Sequence, residues 1–356
     1  MDSGRELLAW YERNRRDLPW RRRRDPYAVW ISEIMLQQTR VEAARGYFER
    51  FLERFPSVER LAAATTDEVL AAWSGLGYYR RARQLHAAAQ EVVARGAFPE
   101  RAAELEELAG IGPYTAAAIA SIAFGEAVPV LDGNVARVLA RVVAEERRVG
   151  EAAVRRRLLA AAAGLLVPGR PGDSNQAMME LGATVCLPLR PRCPDCPLAT
   201  VCAAFGAGRP EHYPVRAARR PPTAVRQLAA LVVDGERLLL VRRGEDEGQL
   251  AGLWELPLVE AASAAAGRRG LAERYGGEWT LGPVAGRVRH AITSRALTIE
   301  VRRAERQTAP GEVREGLAGA DGGWFPLAEA RRLALTGVAR KIVEKFAAEA
   351  LRERDG

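Results

Sequence analysis

Three groups of residues in this sequence could carry chemistry. Cys186, Cys193, Cys196 and Cys202 are the only cysteines of the chain, separated by six, two and five residues. With none left over, they can supply four thiolates to one centre, and in a reducing compartment such clustering reads as a metal site rather than a disulfide framework. Two centres compete: structural zinc, which more often uses two Cys-x-x-Cys pairs, and a four-iron cluster, which suits one pair flanked by longer gaps. The second group is a pair of carboxylates. Glu33 interrupts an apolar helical run, Trp30-Ile31-Ser32-Glu33-Ile34-Met35-Leu36. Burial there would disfavour its charged form and make it a proton donor near neutral pH, whereas on a solvated face it would be an ordinary glutamate. Asp132, in Val130-Leu131-Asp132-Gly133-Asn134-Val135, precedes a helical run whose N-terminus favours an ionised carboxylate, and a plain cap is its commoner role. The third group is Gly110 and Gly112 in Leu108-Ala109-Gly110-Ile111-Gly112-Pro113-Tyr114. Without side chains, the backbone N–H groups at the next helix start can approach a phosphate, although an ordinary helix–helix turn also uses such glycines.

These groups need a scaffold, and at 356 residues two domains are the natural expectation. From Arg5 to about Leu166 apolar residues recur at helical spacing, as in Val69–Trp73, Ala82–Val93 and Thr115–Ala123, which predicts an all-α region. It takes in the cysteine cluster and spans residues 1–205. The stretch 206–224, rich in Pro, Gly and Arg, has linker composition and could also run along DNA. Residues 225–356 change texture: β-type runs at Gln227–Val233 and Leu238–Arg243 flank Asp234-Gly235-Glu236, a hairpin turn. Further strands are expected near Gly286–Arg289, Leu297–Val301 and Trp324–Phe325, with helices near Ala262–Tyr275 and Val338–Leu351, giving an α+β domain. A net charge of +8, carried almost wholly by Arg, points to a polyanionic partner. No run is long and apolar enough for a membrane span and the N-terminus is too charged for a signal peptide, so a soluble cytoplasmic protein is expected.

The string around Gly110 resembles the helix–hairpin–helix of DNA-repair glycosylases, and the cysteine spacing resembles the cluster loop of endonuclease III and MutY glycosylases. The Glu33 string closely resembles the adenine-glycosylase motif. With Asp17-Leu18-Pro19-Trp20-Arg21, Gly75-Leu76-Gly77-Tyr78-Tyr79 and Asn175-Gln176-Ala177-Met178-Met179-Glu180-Leu181-Gly182 in order, the chain from about Asp17 onward resembles the adenine-DNA glycosylases of the MutY type. That resemblance implies a multidomain protein: an all-α helix–hairpin–helix glycosylase domain with an iron–sulfur cluster loop, then an α+β Nudix-like domain. It implies a [4Fe-4S] cluster on Cys186, Cys193, Cys196 and Cys202, with Arg190 and Arg192 presented to phosphates. It also implies base-excision repair by a monomer acting on double-stranded DNA, removing adenine mispaired with 8-oxoguanine or guanine.

In residue terms the resemblance makes Glu33 the proton donor to ring nitrogen seven of a flipped adenine. Asp132 becomes the carboxylate that stabilises the sugar cation or briefly bonds the anomeric carbon. Tyr114 and Asn134 would organise these two carboxylates, and Trp20, Arg21, Leu36 and Gln176 would line the adenine pocket. Gln38 and Tyr78 match residues inserted into the duplex, while Gly110 and Gly112 form the phosphate-binding hairpin. Bifunctional relatives place a Schiff-base lysine in that hairpin; here Tyr114 stands there and the first lysine is Lys341, so a monofunctional enzyme is expected. Tyr114 thereby argues against an endonuclease III-like pyrimidine glycosylase/lyase, and Glu33 with Asp132 against a non-catalytic DNA-binding homologue.

The second domain departs from its family in two places. Gly252-Leu253-Trp254-Glu255-Leu256-Pro257 resembles the start of a Nudix signature, but Arg268–Gly276 offers only Glu273 where a run of glutamates should hold magnesium, so nucleotide hydrolysis is not expected. The family's turn that contacts oxidised guanine often reads Phe-Ser-His. This chain has Ile292-Thr293-Ser294, of which Thr293 and Ser294 can still hydrogen-bond.

Overall fold

The structure is a computed structural model that describes residues 2–215, 221–244, 247–292, 294–307 and 322–347. The chain forms two compact units, one of residues 1–64 and 84–218, the other of residues 65–83 and 219–356.

The first unit is helical. One of its most buried helices is Pro26–Leu36, started by Asp25, whose side chain accepts from the Tyr27 and Ala28 N–H groups, with Pro26 in the first turn. Every residue from Tyr27 to Met35 is buried, as expected of a helix that is apolar all round. A separate core of the same unit gathers Leu7, Leu8 and Tyr11 of the helix Ser3–Asn14, Val135 and Leu139 of the helix Gly133–Val142, and Met178 and Leu181 of the helix Pro171–Thr184. Each fully buried leucine of this set contributes about 1.5–3 kcal/mol. Two glycines set close approaches. A Cβ on Gly182 would lie 2.7 Å from Asn134 Cβ, so only glycine lets the helix Pro171–Thr184 reach Asn134. Gly110, with φ +75°, would collide with Gln84 Cβ at 2.6 Å.

The second unit holds two four-stranded sheets, built from β1 (Thr223–Leu231), β2 (Val233–Asp234), β3 (Arg237–Arg242), β4 (Trp254–Glu255), β5 (Leu258–Glu260), β6 (Glu278–Ile292), β7 (Arg295–Gln307) and β8 (Gly322–Pro326). One sheet runs β5-β1-β7-β6, with β1 parallel to β7; in the other, β3 pairs with β2, β4 and β8. The Asp234–Arg237 hairpin exists, but only Val233 and Asp234 pair across it. The expected first strand breaks at Val232, and its body joins the other sheet, because Leu228–Leu231 is buried on both faces and takes the interior position of a central strand. β6 and β7 run well beyond the expected Gly286–Arg289 and Leu297–Val301. The helix Ala264–Tyr275 lies where expected. The C-terminal helix starts at Gly337 and passes at Val343 into a wider turn to Ala347, and the expected remainder to Leu351 falls outside the described residues.

Residues 65–83 open with a capping box between Thr65 and Glu68. They are tied to the rest of this unit by Tyr79 Oη donating to the Leu335 carbonyl at 2.9 Å and by an Arg242–Asp67 ion pair of 2.6 Å. Among the described residues no helix is long and apolar enough to cross a membrane.

Candidate active site

Glu33 sits on the last turns of the helix Pro26–Leu36, only 6% exposed. The Tyr114 hydroxyl, one residue into the helix Pro113–Ala123, donates to Glu33 Oε2 at 2.7 Å and has Met179 Sδ as an alternative acceptor at 3.1 Å. Burial pushes the Glu33 carboxyl up to about 7; the Tyr114 hydrogen bond opposes this, nearby Asp132 adds to it, and Arg21 opposes it. Burial likewise raises Tyr114 well above the ordinary tyrosine value, so it remains a donor.

Asp132 caps the helix Gly133–Val142: its Oδ1 accepts from Val135 N–H at 2.7 Å and its Oδ2 from Asn134 Nδ2 at 3.2 Å. Burial raises its pKa, against backbone hydrogen bonds from Val135 and Asn134, the charge of Arg137 and the Asn134 side chain. Cap and charge therefore reside on one carboxylate. Asn134 is in turn held by Arg137, whose Nη2 donates to Asn134 Oδ1 at 3.0 Å and to the Gly182 carbonyl at 2.7 Å, while its Nε donates to the Cys186 carbonyl at 2.9 Å. A continuous set of hydrogen bonds thus joins the helix cap to the start of the cysteine loop.

Trp20 is buried edge-to-face on Phe48, with centroids 5.5 Å apart. Arg21, in the turn Pro19–Arg21, stacks over Tyr11 at 5.4 Å, and Tyr11 Oη bonds Gln176 Oε1 at 3.2 Å. Leu36 and Gln176 are partly exposed. Glu33, Tyr114, Asp132, Asn134, Arg21 and Gln176 all belong to the first unit. Tyr11, Arg137, Met179 and Glu180 were not singled out from the sequence, although the last two lie inside a string already read as a motif.

The remaining residues divide by location. Gly112 heads the helix Pro113–Ala123 without a side-chain cap and with open space around it, leaving the helix start accessible. Gln38 is exposed with φ 61°, and Tyr78 of the second unit is 54% exposed with φ 51°. A left-handed backbone is uncommon for non-glycine residues and tends to mark functional positions. Arg81 lies over the Tyr78 ring at 5.3 Å. Ser294 is exposed in the turn between β6 and β7, and Thr293 lies outside the described residues.

All four cysteines line one cavity, together with Arg141 and Val185. No three or more His, Cys, Asp or Glu side chains among the described residues are grouped to hold a single metal ion. Four thiols lining one cavity are the donor set of either a structural tetrahedral ion or a polynuclear cluster. Arg141, 2% exposed, donates to Cys186 Sγ at 3.2 Å and to the carbonyls of Tyr213, Leu187 and Pro188. A buried guanidinium bonded only to neutral groups suits an anionic neighbour. Burial and neighbouring thiols push Cys196 up to about 12, so this sulfur releases its proton readily only to a metal centre. The residues fit a four-thiolate cluster. Arg190 and Arg192 are exposed beside it.

Residues 31–162 match the model of the HhH-GPD superfamily base excision DNA repair protein, and residues 228–345 match that of the NUDIX domain. The solved structure of a thermostable thymine-DNA glycosylase aligns with a TM-score of 0.51 at 27% identity, covering 57% of this chain and 95% of that one. The chain is 42% identical over 294 residues to the adenine DNA glycosylase of Arabidopsis thaliana, covering 71% of this chain and 46% of that protein. It is 32% identical over 318 residues to the adenine DNA glycosylase of Schizosaccharomyces pombe, covering 71% of this chain and 68% of that protein. The chain spans about half the length of the first curated relatives it matches. The helical domain, its enclosed carboxylate pair and the α+β domain that follows in sequence define a two-domain protein of the base-excision repair class. Within that class, the chain belongs to the adenine DNA glycosylase family.

Proposed function

We propose that this chain removes adenine from duplex DNA where it is mispaired with 8-oxoguanine or guanine, as a monofunctional, monomeric glycosylase of the cytoplasm. The observation that carries this reading is the buried Glu33, held near neutral pKa and bonded by Tyr114, with Asp132 close enough to act on it. Breaking an N-glycosidic bond generates an oxocarbenium-like sugar and an anionic base, so an acid must neutralise the leaving group and an anion must face the sugar. Glu33 donates its proton to ring nitrogen seven of the extruded adenine. Asp132 stabilises the cation or bonds transiently to the anomeric carbon before water completes hydrolysis. Trp20, Arg21, Leu36 and Gln176 hold the base.

Extrusion costs a few kcal/mol of unstacking, offset by inserting Gln38 and Tyr78, both exposed and both on left-handed backbone. Gly110 and Gly112 bring helix N–H groups to a phosphate. Thr293 and Ser294 contact the opposite base from the domain at 225–356, joined to the glycosylase domain at 1–205 through 206–224. Cys186, Cys193, Cys196 and Cys202 hold a [4Fe-4S] cluster, which when bound shapes the loop carrying Arg190 and Arg192. The purified protein is then expected to be brown with broad visible absorption and to contain iron; a colourless protein with stoichiometric zinc would refute the cluster.

Duplexes carrying adenine opposite 8-oxoguanine, adenine opposite guanine, or thymine glycol test the reading. Strand breaks should arise only from the adenine duplexes and only after alkali treatment. Cleavage of the thymine glycol duplex, or nicking without alkali, would favour a pyrimidine glycosylase/lyase instead.

A further inference from the structure

The helix that carries Gln176 also holds a buried carboxylate with no part in the chemistry described above. Glu180, on the same helix as Gln176 and Met179, has a side chain with 0% exposure. Its Oε1 accepts from Arg16 N and Arg16 Nε, both at 2.9 Å, and its Oε2 from Arg16 Nη2 at 2.8 Å and Arg21 Nη2 at 2.7 Å. Arg21 Nη1 also donates to the Arg16 carbonyl at 3.1 Å. Against the burial that would raise it, the Arg16 and Arg21 hydrogen bonds hold the Glu180 carboxyl at about 2, so it is anionic throughout the working range. Arg21 is the group whose positive charge reaches Glu33.

We propose that Glu180 is a positioning residue for base excision: it fixes the Arg21 guanidinium at the pocket wall and offsets the charge that Arg21 brings beside Glu33. This inference rests on the reading of Glu33 as proton donor. The charged and titratable groups facing Glu33 are Tyr114 from the helix Pro113–Ala123, Asp132 from the start of the helix Gly133–Val142, and Arg21 from the turn Pro19–Arg21. The two guanidiniums and Glu180 sum to one positive charge; without the carboxylate they sum to two. Added positive charge favours the ionised form of Glu33 and removes the proton that excision needs. A stray guanidinium would also be free to leave the Tyr11 face and loosen the Tyr11–Gln176 contact.

The test is single-turnover adenine release from an adenine–8-oxoguanine duplex between roughly pH 5 and pH 9, where the alkaline limb reports the essential acid. In Glu180→Gln the limb should move down by about one pH unit, within the usual effect of a nearby charge. In Arg21→Met it should move up, because Glu33 loses a stabilising cation, and in the double variant it should return near the wild-type position. Glu180→Asp keeps the charge and should hold the limb in place even if the rate drops, which also serves should Glu180→Gln fail to fold by circular dichroism. A purely structural Glu180 would lower rate or Tm while leaving the limb unmoved, and that result, or single variants shifting in the same direction, overturns the inference alone. A wild-type rate with no alkaline limb overturns the proton-donor reading and this inference with it.

Discussion

Glu33→Gln is expected to slow adenine release by about 10²–10⁴-fold, the usual contribution of a general acid, while leaving duplex binding near wild type. The amide keeps the size and still accepts the Tyr114 hydrogen bond, so the pocket should retain its shape and lose only the proton. The same substitution is expected to make the fold more stable at alkaline pH. Glu33 titrates at about 7 in the folded protein against the ordinary 4.5, so the folded state holds this proton more tightly than the unfolded chain does. The cost of ionising it in place is absent below about pH 4.5, grows as pH rises through the window to 7, and reaches about 3 kcal/mol above it, at 1.36 kcal/mol per unit. The Tm advantage of Glu33→Gln over wild type should therefore be larger at pH 8 than at pH 5. A variant that releases adenine at the wild-type rate would remove Glu33 from the reaction. A Tm difference independent of pH would mean that the carboxyl is not protonated in the folded state.

What could be read locally came through, and what depends on distant pairing did not. Glu33 is visible in the sequence because one carboxylate breaks an otherwise apolar helix, and Asp132 because it stands where a cap is needed. The four cysteines announce themselves by isolation. Glu180 gives no such signal: it reads as one polar residue in a mixed helix, and its partners Arg16 and Arg21 lie 164 and 159 residues away. Arg137 and Arg141 look like two more members of an Arg-rich surface, yet both are buried and tied to the cysteine loop. Their roles arise from charges enclosed by tertiary packing, which periodicity does not encode. The strand β1 fails in the same way. Its apolar run predicts a strand but cannot name neighbours, and the hairpin turn at Gly235 suggests the local partner β3, whereas burial on both faces places β1 between β5 and β7. The grouping of residues 65–83 with the C-terminal unit has no counterpart in their helical pattern, since it rests on contacts such as Tyr79 to Leu335.

Asp132→Asn should separate the two duties that geometry places on one side chain. As a helix cap, Asn is equivalent to Asp: its carbonyl can accept from Val135 N–H as Asp132 Oδ1 does at 2.7 Å. The interaction of full charge with the helix terminus, about 0.3–1 kcal/mol, and the Asn134 Nδ2 bond to Oδ2 are lost, while the burial cost that raises the carboxyl is relieved, so Tm should change little. In the reaction the loss is far larger, because an amide cannot balance a developing sugar cation. Removing one preorganised electrostatic partner typically costs about 10²–10³ in rate, or 2.7–4 kcal/mol. Asp132→Ala should match that loss of rate and lose a further ~1 kcal/mol of stability with the cap. The comparison is decisive because the two variants differ in capping and share the missing charge. If Asn retains activity and Ala does not, Asp132 serves the reaction only by starting its helix, and the anion facing the sugar must be sought elsewhere.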